Sequence, residues 1–262
     1  MAELTDPAKE LAELCQRLSL PNKSRGDVYL ASQFGVGPWS SDFYRIVFSI
    51  VERVDFVARI IEALDLDDDI KAEAQQSLEH IKNAFGQTSL MNTWNTAGYG
   101  YALLGPENAR AIKMLSSQVR QKVSYPKLSN EDVENLLVEV GELEKWLAEH
   151  QLHEQDFIRQ AIIEGVSQFK FRLERLSWLG WGYTVSSLRD VIGAYYALHS
   201  TVPKDNSAPV AEALLGKVQA LVRKVYQKAS TTKDIYETGE FMLKAYGAYS
   251  IALPNGISGL LT

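Results

Sequence analysis

The segment EHQLHEQD, residues 149 to 156, holds the side chains best suited to coordinate a metal ion. His150 and His153 stand three positions apart, and Glu154 and Asp156 follow closely. Imidazole nitrogens and carboxylate oxygens are ligands of divalent cations such as zinc. The segment is therefore a candidate metal site, and with it a candidate active site.

The same segment also has a purely structural explanation. It spans the predicted end of one helix and the start of the next, where the helix dipole favours a histidine such as His150 at a carboxyl end and an acid such as Glu154 at an amino end. The zinc-protease pattern HExxH is absent, because Phe157 stands where its second histidine would be. We expect no metal or other cofactor and keep the metal site as an alternative.

Other residues with chemical potential lack the neighbours that a reaction requires. Cys15 shares helical spacing with Leu11, Leu14 and Leu18, which indicates a buried apolar filler rather than a nucleophile. The acidic run Asp65–Asp69 lacks the glycine and the final glutamate of an EF-hand loop. The glycines of GYGYALLG do not match the dinucleotide-binding fingerprint. We therefore expect a protein that is not an enzyme.

Three uncharged segments combine aromatic rings with glycine and small polar side chains: QFGVGPWSS, MNTWNTAGYGY and WLGWGYTVSS. Rigid rings beside adaptable hydrogen-bonding groups are typical of protein interfaces. The alternative is that the rings close the core where helices diverge. With Phe34 as a secondary contact, the predicted binding residues are Trp39, Trp94, Tyr99, Trp178, Trp181 and Tyr183.

Charge is distributed unevenly along the chain. The net charge is −6, from 27 basic and 33 acidic residues, which argues against general nucleic-acid binding. The stretch from Glu52 to Glu79 contains nine acidic and three basic residues, so it accounts for the entire net negative charge of the chain. One cysteine, no secretory signal at the first residues and no run of about 20 apolar residues predict a cytoplasmic protein without a transmembrane segment.

Helix signals follow one another along the chain. Asp6 and Pro7 form a helix start, Asp42 opens a wide apolar stripe, Asp67 caps a third helix, and Ser129 with Asp132 resembles a capping box. No convincing strand pair is found. The sequence predicts an all-α protein: one domain over 1–262, a bundle of about eight largely antiparallel helices, with seams at 83–106 and 201–208.

These patterns favour a non-catalytic, cytoplasmic interaction protein that binds another protein through the aromatic connectors or the acidic helix pair. One alternative is a helical enzyme or ligand-binding protein with an aromatic-lined pocket and the histidine–carboxylate metal site. Another is a membrane-active or self-assembling effector that uses basic helices and the uncharged carboxyl-terminal tail. Formation of a homo-oligomer is compatible with each of these.

Overall fold

The structure is a computed structural model, and it describes residues 3–19, 23–95, 99–152, 156–202 and 208–229. Most of these residues are helical, which confirms the all-α class. The chain divides into two compact units. Whether they form one domain, and whether about eight helices make an antiparallel bundle, stay predictions.

The N-terminal unit contains Thr5–Ser124 and the short stretch Trp178–Gly180. Helix α1 packs against α3, α7 and α8, and α4 packs against α3, α6 and α7. Apolar side chains of α1 and α3, among them Leu11 and Ile50, are fully buried between these helices. The helices of this unit are α1 (Pro7–Leu18), α2 (Gly26–Phe34), α3 (Ser41–Glu62), α4 (Asp68–Asn83), α5 (Gln87–Met91), α6 (Gly100–Leu103), α7 (Pro106–Met114) and α8 (Ser116–Lys122).

Local sequence explains where the first helices begin. The Asp6 side chain caps α1 by accepting a hydrogen bond of 2.9 Å from the Lys9 amide, and Pro7 occupies the first helical position. The Ser40 side chain caps α3, which begins at Ser41, one residue before the predicted start at Asp42. Asp67 is the N-cap residue of α4, as predicted, although its side chain makes no capping hydrogen bond.

Asp6 also ties α1 to α8. Its carboxylate is buried and accepts a 2.5 Å hydrogen bond from the Ser116 hydroxyl and one of 3.4 Å from Arg120. A buried carboxylate is costly unless it is hydrogen-bonded, and these donors offset that cost. The cap that starts α1 therefore also fixes its position against α8.

The C-terminal unit contains Glu3, Leu4, Tyr125–Ser177 and the described residues from Trp181 onward. Helix α9 packs against α10, α10 against α13, α13 against α14, and α14 against α9, so these four close a ring around one apolar core. The helices of this unit are α9 (Asn130–Glu149), α10 (Asp156–Glu174), α12 (Trp181–Ser186), α13 (Leu188–Thr201) and α14 (Pro209–Ala229). The residues of the short helix α11 (Leu176–Leu179) are divided between the two units.

The start of α9 is fixed by the predicted capping box. The Ser129 hydroxyl accepts a hydrogen bond of 3.1 Å from the Asp132 amide, and Asp132 in return accepts one of 3.0 Å from the Ser129 amide. Lys228 of α14 forms an ion pair with the same carboxylate. Hydrogen bonds from Lys228 and then from Ser129 lower the pKa of Asp132 to about 2.

Several features differ from the sequence-based expectation. Helix α2 was not predicted, because its apolar residues show little helical periodicity. Two strands, β1 (Leu4–Thr5) and β2 (Tyr125–Pro126), pair with each other, and at two residues each they are too short to leave a pattern. The sequence also predicts a helix from Thr232 to about Tyr249, and this segment and the uncharged tail lie outside the described residues. Within the described residues no helix is long and apolar enough to cross a bilayer.

Candidate interaction surface

Trp39 lies in the connection between α2 and α3 and is the one residue other than glycine, in the part of the chain that the structure describes, with a positive φ, 59°. Left-handed backbone is costly for a residue with a side chain, so the surroundings must hold it there. The indole Nε1–H donates a hydrogen bond of 2.6 Å to Asp27. The ring is half-buried, with its orientation set by this bond.

The acceptor of that bond is itself held in place. Asp27 is 1% exposed, forms an ion pair with Arg25, and accepts a 2.8 Å hydrogen bond from the amide of Val28. The hydrogen bond from Arg25, followed by those from Val28 and Trp39, lowers the pKa of Asp27 against the opposing effect of burial. Asp27 is therefore a charged acceptor, and its bond to Trp39 belongs to the stronger, charge-assisted kind.

A row of aromatic contacts runs from Trp39 across the N-terminal unit. The ring of Phe43 lies 5.5 Å from that of Trp39 and 6.4 Å from that of Phe34, measured between centroids. Phe34 in turn meets Trp178 edge to face at 5.0 Å, and the Arg17 guanidinium lies 3.8 Å above the Trp178 ring. Of the three uncharged segments, the structure thus brings QFGVGPWSS and the start of WLGWGYTVSS together.

Exposed apolar side chains lie beside the fixed tryptophan. Tyr44, whose ring centroid is 5.7 Å from that of Trp39, is 56% exposed, and Phe48, one turn further along α3, is 63% exposed. We call Trp39, Tyr44 and Phe48 the Trp39 surface. Exposed apolar side chains grouped in this way are characteristic of contact sites.

Trp94, by contrast, belongs to the core. It is 0% exposed, its ring lies 5.3 Å from that of Tyr29, and it is packed so closely between Gly26 and Gly100 that a Cβ on either glycine would overlap the indole. Its Nε1–H has no hydrogen-bond partner in the described part of the chain. Such a ring offers no surface to a partner.

Trp181 and Tyr183 are also buried, at 2% and 5% exposure, in the core of the C-terminal unit. The guanidinium of Arg172 lies 4.0 Å above the Tyr183 ring. Tyr99 is half-buried and precedes the first turn of α6. For Trp94, Trp181 and Tyr183 the observed burial fits the alternative in which the rings close the core.

Trp178 is held by its backbone as well as its ring. Its carbonyl oxygen accepts a hydrogen bond of 2.7 Å from Arg53, which is only 2% exposed. Gly180, two residues on, has φ 77°, and a Cβ there would lie 2.5 Å from Glu10 Oε2 and 2.8 Å from Arg53 Nη2. The charged groups of Glu10 and Arg53 therefore lie so close to Gly180 that the side chain of any other residue at this position would have to displace them.

Two of the four candidate metal ligands, His150 and Asp156, have other partners. His150 Nδ1 lies 2.9 Å from the Trp146 carbonyl oxygen, and its ring stacks on Trp146 with centroids 4.2 Å apart. Asp156 forms a 3.2 Å ion pair with Arg159. His153 and Glu154 lie outside the described residues, and the described ones contain no group of three or more histidine, cysteine or acidic side chains placed to hold a metal ion.

Cys15 is 1% exposed, and burial raises the pKa of its thiol to about 12. Because the thiolate is the nucleophilic form, this environment opposes catalysis by Cys15.

Sequence reasoning missed Asp27, Arg53, Tyr44 and Phe48. For Tyr44 and Phe48 a signal existed, since two aromatic residues four positions apart on the face opposite the apolar stripe of α3 must point outward together. For Asp27 and Arg53 there was none, because the bond between Asp27 and Trp39 spans 12 residues and that between Arg53 and Trp178 spans 125.

Comparison with protein-family models, with curated proteins and with solved structures finds no match to this chain. The structure therefore describes the chain as mostly helical, with a fixed, partly exposed tryptophan beside exposed aromatic side chains.

Proposed function

We propose that the protein is a non-catalytic interaction protein that binds another protein through the Trp39 surface. The observation that carries the proposal is the Asp27–Trp39 hydrogen bond of 2.6 Å, which holds a half-buried indole in left-handed backbone beside the exposed Tyr44 and Phe48. Local backbone strain that is retained by specific contacts is often linked to function.

Rigidity is what makes this tryptophan suited to binding. Ordering a mobile side chain on association costs free energy, and a ring already fixed by a hydrogen bond avoids most of that cost. Tryptophan and tyrosine are also the residues that most often dominate the energy of a protein interface. The proposal thus places Trp39 at the centre of the contact, with Tyr44 and Phe48 beside it.

The cellular setting remains part of the proposal. A cytoplasmic location fits a chain whose single cysteine is buried and can form no intramolecular disulfide. A predominantly helical scaffold, proposed here as a bundle of largely antiparallel helices, supports the presentation of a fixed surface, because it carries Tyr44 and Phe48 on a helix. Trp39 lies in a connection and is fixed instead by its bond to Asp27.

The test is a quantitative affinity capture from the source cell with four tagged forms: the unchanged protein, Trp39→Ala, Phe48→Ala and Met114→Ala. Met114 is 71% exposed on α7 and serves as the matched control for loss of an exposed apolar side chain. We expect a protein captured by the unchanged form and by Met114→Ala to fall at least about tenfold in the other two, as for an interface hot spot.

Circular dichroism melting of each variant establishes that it is folded, and calorimetry with the purified captured protein confirms direct binding. Capture that persists in both Trp39→Ala and Phe48→Ala, or that falls equally in Met114→Ala, would contradict the proposal.

A further inference from the structure

The exposed face of α3 changes character along its length. Residues 44, 48, 55 and 62 fall within about 40° of one another on a helix of 3.6 residues per turn, so they share one face. The first two are the exposed Tyr44 and Phe48, and the last two are acids: Asp55, which is paired with Lys82 at 2.9 Å, and the exposed Glu62. An aromatic end is thus followed by an acidic one, with Phe48 and Glu62 separated by about 21 Å along the axis.

The acidic end continues into the turn that joins α3 to α4. Within residues 62–73 the sequence has six acids and one base, Lys71, and the ammonium group of Lys71 donates to the Glu62 carbonyl oxygen at 3.1 Å. The ammonium group of Lys71 therefore contacts the carboxyl end of α3. We call the six acids, all exposed, the acidic corner: Glu62, Asp65, Asp67, Asp68, Asp69 and Glu73.

This arrangement selects among partners by charge. A nucleic acid or an anionic lipid surface would be repelled by the acidic corner, whereas lysine and arginine side chains would be attracted to it. The aromatic end adds the apolar contact that charge alone does not supply. A partner that matches both ends has apolar side chains and basic side chains separated by about 20 Å, which corresponds to roughly 14 residues of a helix.

Resting on the proposed function, we propose that the partner contributes a basic amphipathic segment, which lies along α3 with apolar side chains on Tyr44 and Phe48 and basic side chains over the acidic corner. Recognition of an amphipathic helix by an apolar surface with complementary charge is a recurring mode of peptide binding. The two ends of α3 fix the direction in which the segment binds.

The probe is a fluorescein-labelled amphipathic peptide of 18 residues, with leucine and phenylalanine in its first half and lysine and arginine in its second. A matched peptide carries glutamate at each basic position. Fluorescence anisotropy with the full chain measures both dissociation constants, at low and at raised salt. We expect the basic peptide to bind at least about tenfold more tightly than the acidic one, and to weaken as salt rises.

Variants of the full chain locate the site. Phe48→Ala should weaken the basic peptide by about tenfold, as for a buried aromatic contact. The combined change Asp67→Asn, Asp68→Asn and Asp69→Asn should weaken it by about three- to tenfold and flatten its salt dependence. Met114→Ala and Glu107→Gln, both on exposed positions of α7, should leave its dissociation constant unchanged.

Equal binding of the two peptides, or binding of neither, would overturn the basic partner. So would a light-scattering mass showing that Phe48→Ala converts an oligomer to a monomer, because a second copy of the chain would then occupy the surface.

Capture from cells separates this inference from the proposed function. Capture lost in Trp39→Ala but retained in the triple asparagine variant overturns the basic partner alone, whereas capture retained in Trp39→Ala overturns the proposed function.

Discussion

The carboxylate of Asp27 and the indole of Trp39 are joined by a hydrogen bond of 2.6 Å that reaches from the buried start of α2 to the partly exposed connection before α3. A charge that is 1% exposed thereby fixes an aromatic ring at the protein surface. The stability of the fold and the readiness of the surface for binding consequently depend on the same carboxylate.

Replacing Asp27 by asparagine should lower the free energy of unfolding by about 1.5–3 kcal/mol, the usual range for a hydrogen bond to a charged group. Urea denaturation followed by circular dichroism measures this. Asp190→Asn is the control, because that carboxylate is 73% exposed and is paired with the neighbouring Arg189 at 3.4 Å. Hydrogen exchange of the Trp39 indole N–H, measured by NMR, should become faster in Asp27→Asn, and unchanged exchange would contradict the role assigned to Asp27.

The contribution of Asp27 should also depend on pH. Because hydrogen bonding to Arg25 lowers its pKa in the folded protein, its contribution is complete above the ordinary value of 3.8 and is lost as the pH falls from there through the folded value. The difference in stability between the unchanged protein and Asp27→Asn should accordingly shrink below pH 3.8. A difference that stays constant from pH 7 down to the acid transition would argue against a charged Asp27.

Gly180→Ala should destabilise the protein more than Gly35→Ala does. Both glycines have left-handed backbone, with φ of 77° and 68°, so both substitutions incur the strain of about 1–2 kcal/mol. Only at Gly180 would the new Cβ also meet Glu10 Oε2 and Arg53 Nη2, at 2.5 and 2.8 Å, whereas Gly35 has nothing within 4 Å. Chemical denaturation of the two variants tests this, and equal losses would show that the Arg53 contact contributes little.

Gly100→Ala should destabilise the protein by about 1–3 kcal/mol, because the added methyl group overlaps the buried Trp94 ring. If that overlap is the cause, Trp94→Leu should make the same substitution less harmful, with a coupling energy of about 1 kcal/mol or more in a double-mutant cycle. Gly141→Ala, where nothing lies within 4 Å in helix α9, should be neutral or stabilising. Strict additivity of the two changes would contradict the packing described.

The capping box of α9 provides a test at low pH. Asp132→Ala should cost about 1 kcal/mol at neutral pH, as expected for loss of a helix cap. Since the pKa of Asp132 is lowered to about 2, its contribution is complete above 3.8 and is lost as the pH falls from 3.8 to about 2. Lys228→Met should weaken this pH dependence, because the hydrogen bond from Lys228 is the main cause of the lowered pKa. Stability curves of the three proteins at pH 7 and pH 3 measure both effects.

The helices could largely be predicted because their signals are local. Asp6 with Pro7, and Ser129 with Asp132, act within one turn of chain, and the predicted helix from Pro209 to Ala229 coincides with α14. Gly180 interrupts the helical pattern as expected, but the residues on either side of it form the short helices α11 and α12 rather than an irregular connector. The sequence thus predicted the position of the helix break correctly, but it did not predict the conformation of the residues that follow the break.

The aromatic surface could be predicted only in part. The sequence predicted four tryptophans as binding residues for the same reason, a ring in an uncharged segment: Trp39, Trp94, Trp178 and Trp181. The structure leaves Trp39 and Trp178 half-buried and buries the other two. The difference is set by long-range packing, such as the glycines on both sides of Trp94, which local sequence does not encode. The Trp94→Ala and Trp181→Ala changes would therefore open cavities in a core instead of testing a contact.

The hydrogen bond from Arg53 to the Trp178 carbonyl oxygen joins residues 125 positions apart. On the ribosome, α3 is made long before this acceptor exists, and a nascent chain that ends before Trp178 lacks the carbonyl oxygen to which the Arg53 guanidinium donates. The N-terminal unit can thus be completed only after most of the chain has been synthesised. Residues Thr5–Ser124, although they make up nearly the whole unit, would leave the ribosome before the Trp178 carbonyl oxygen that Arg53 requires has been made.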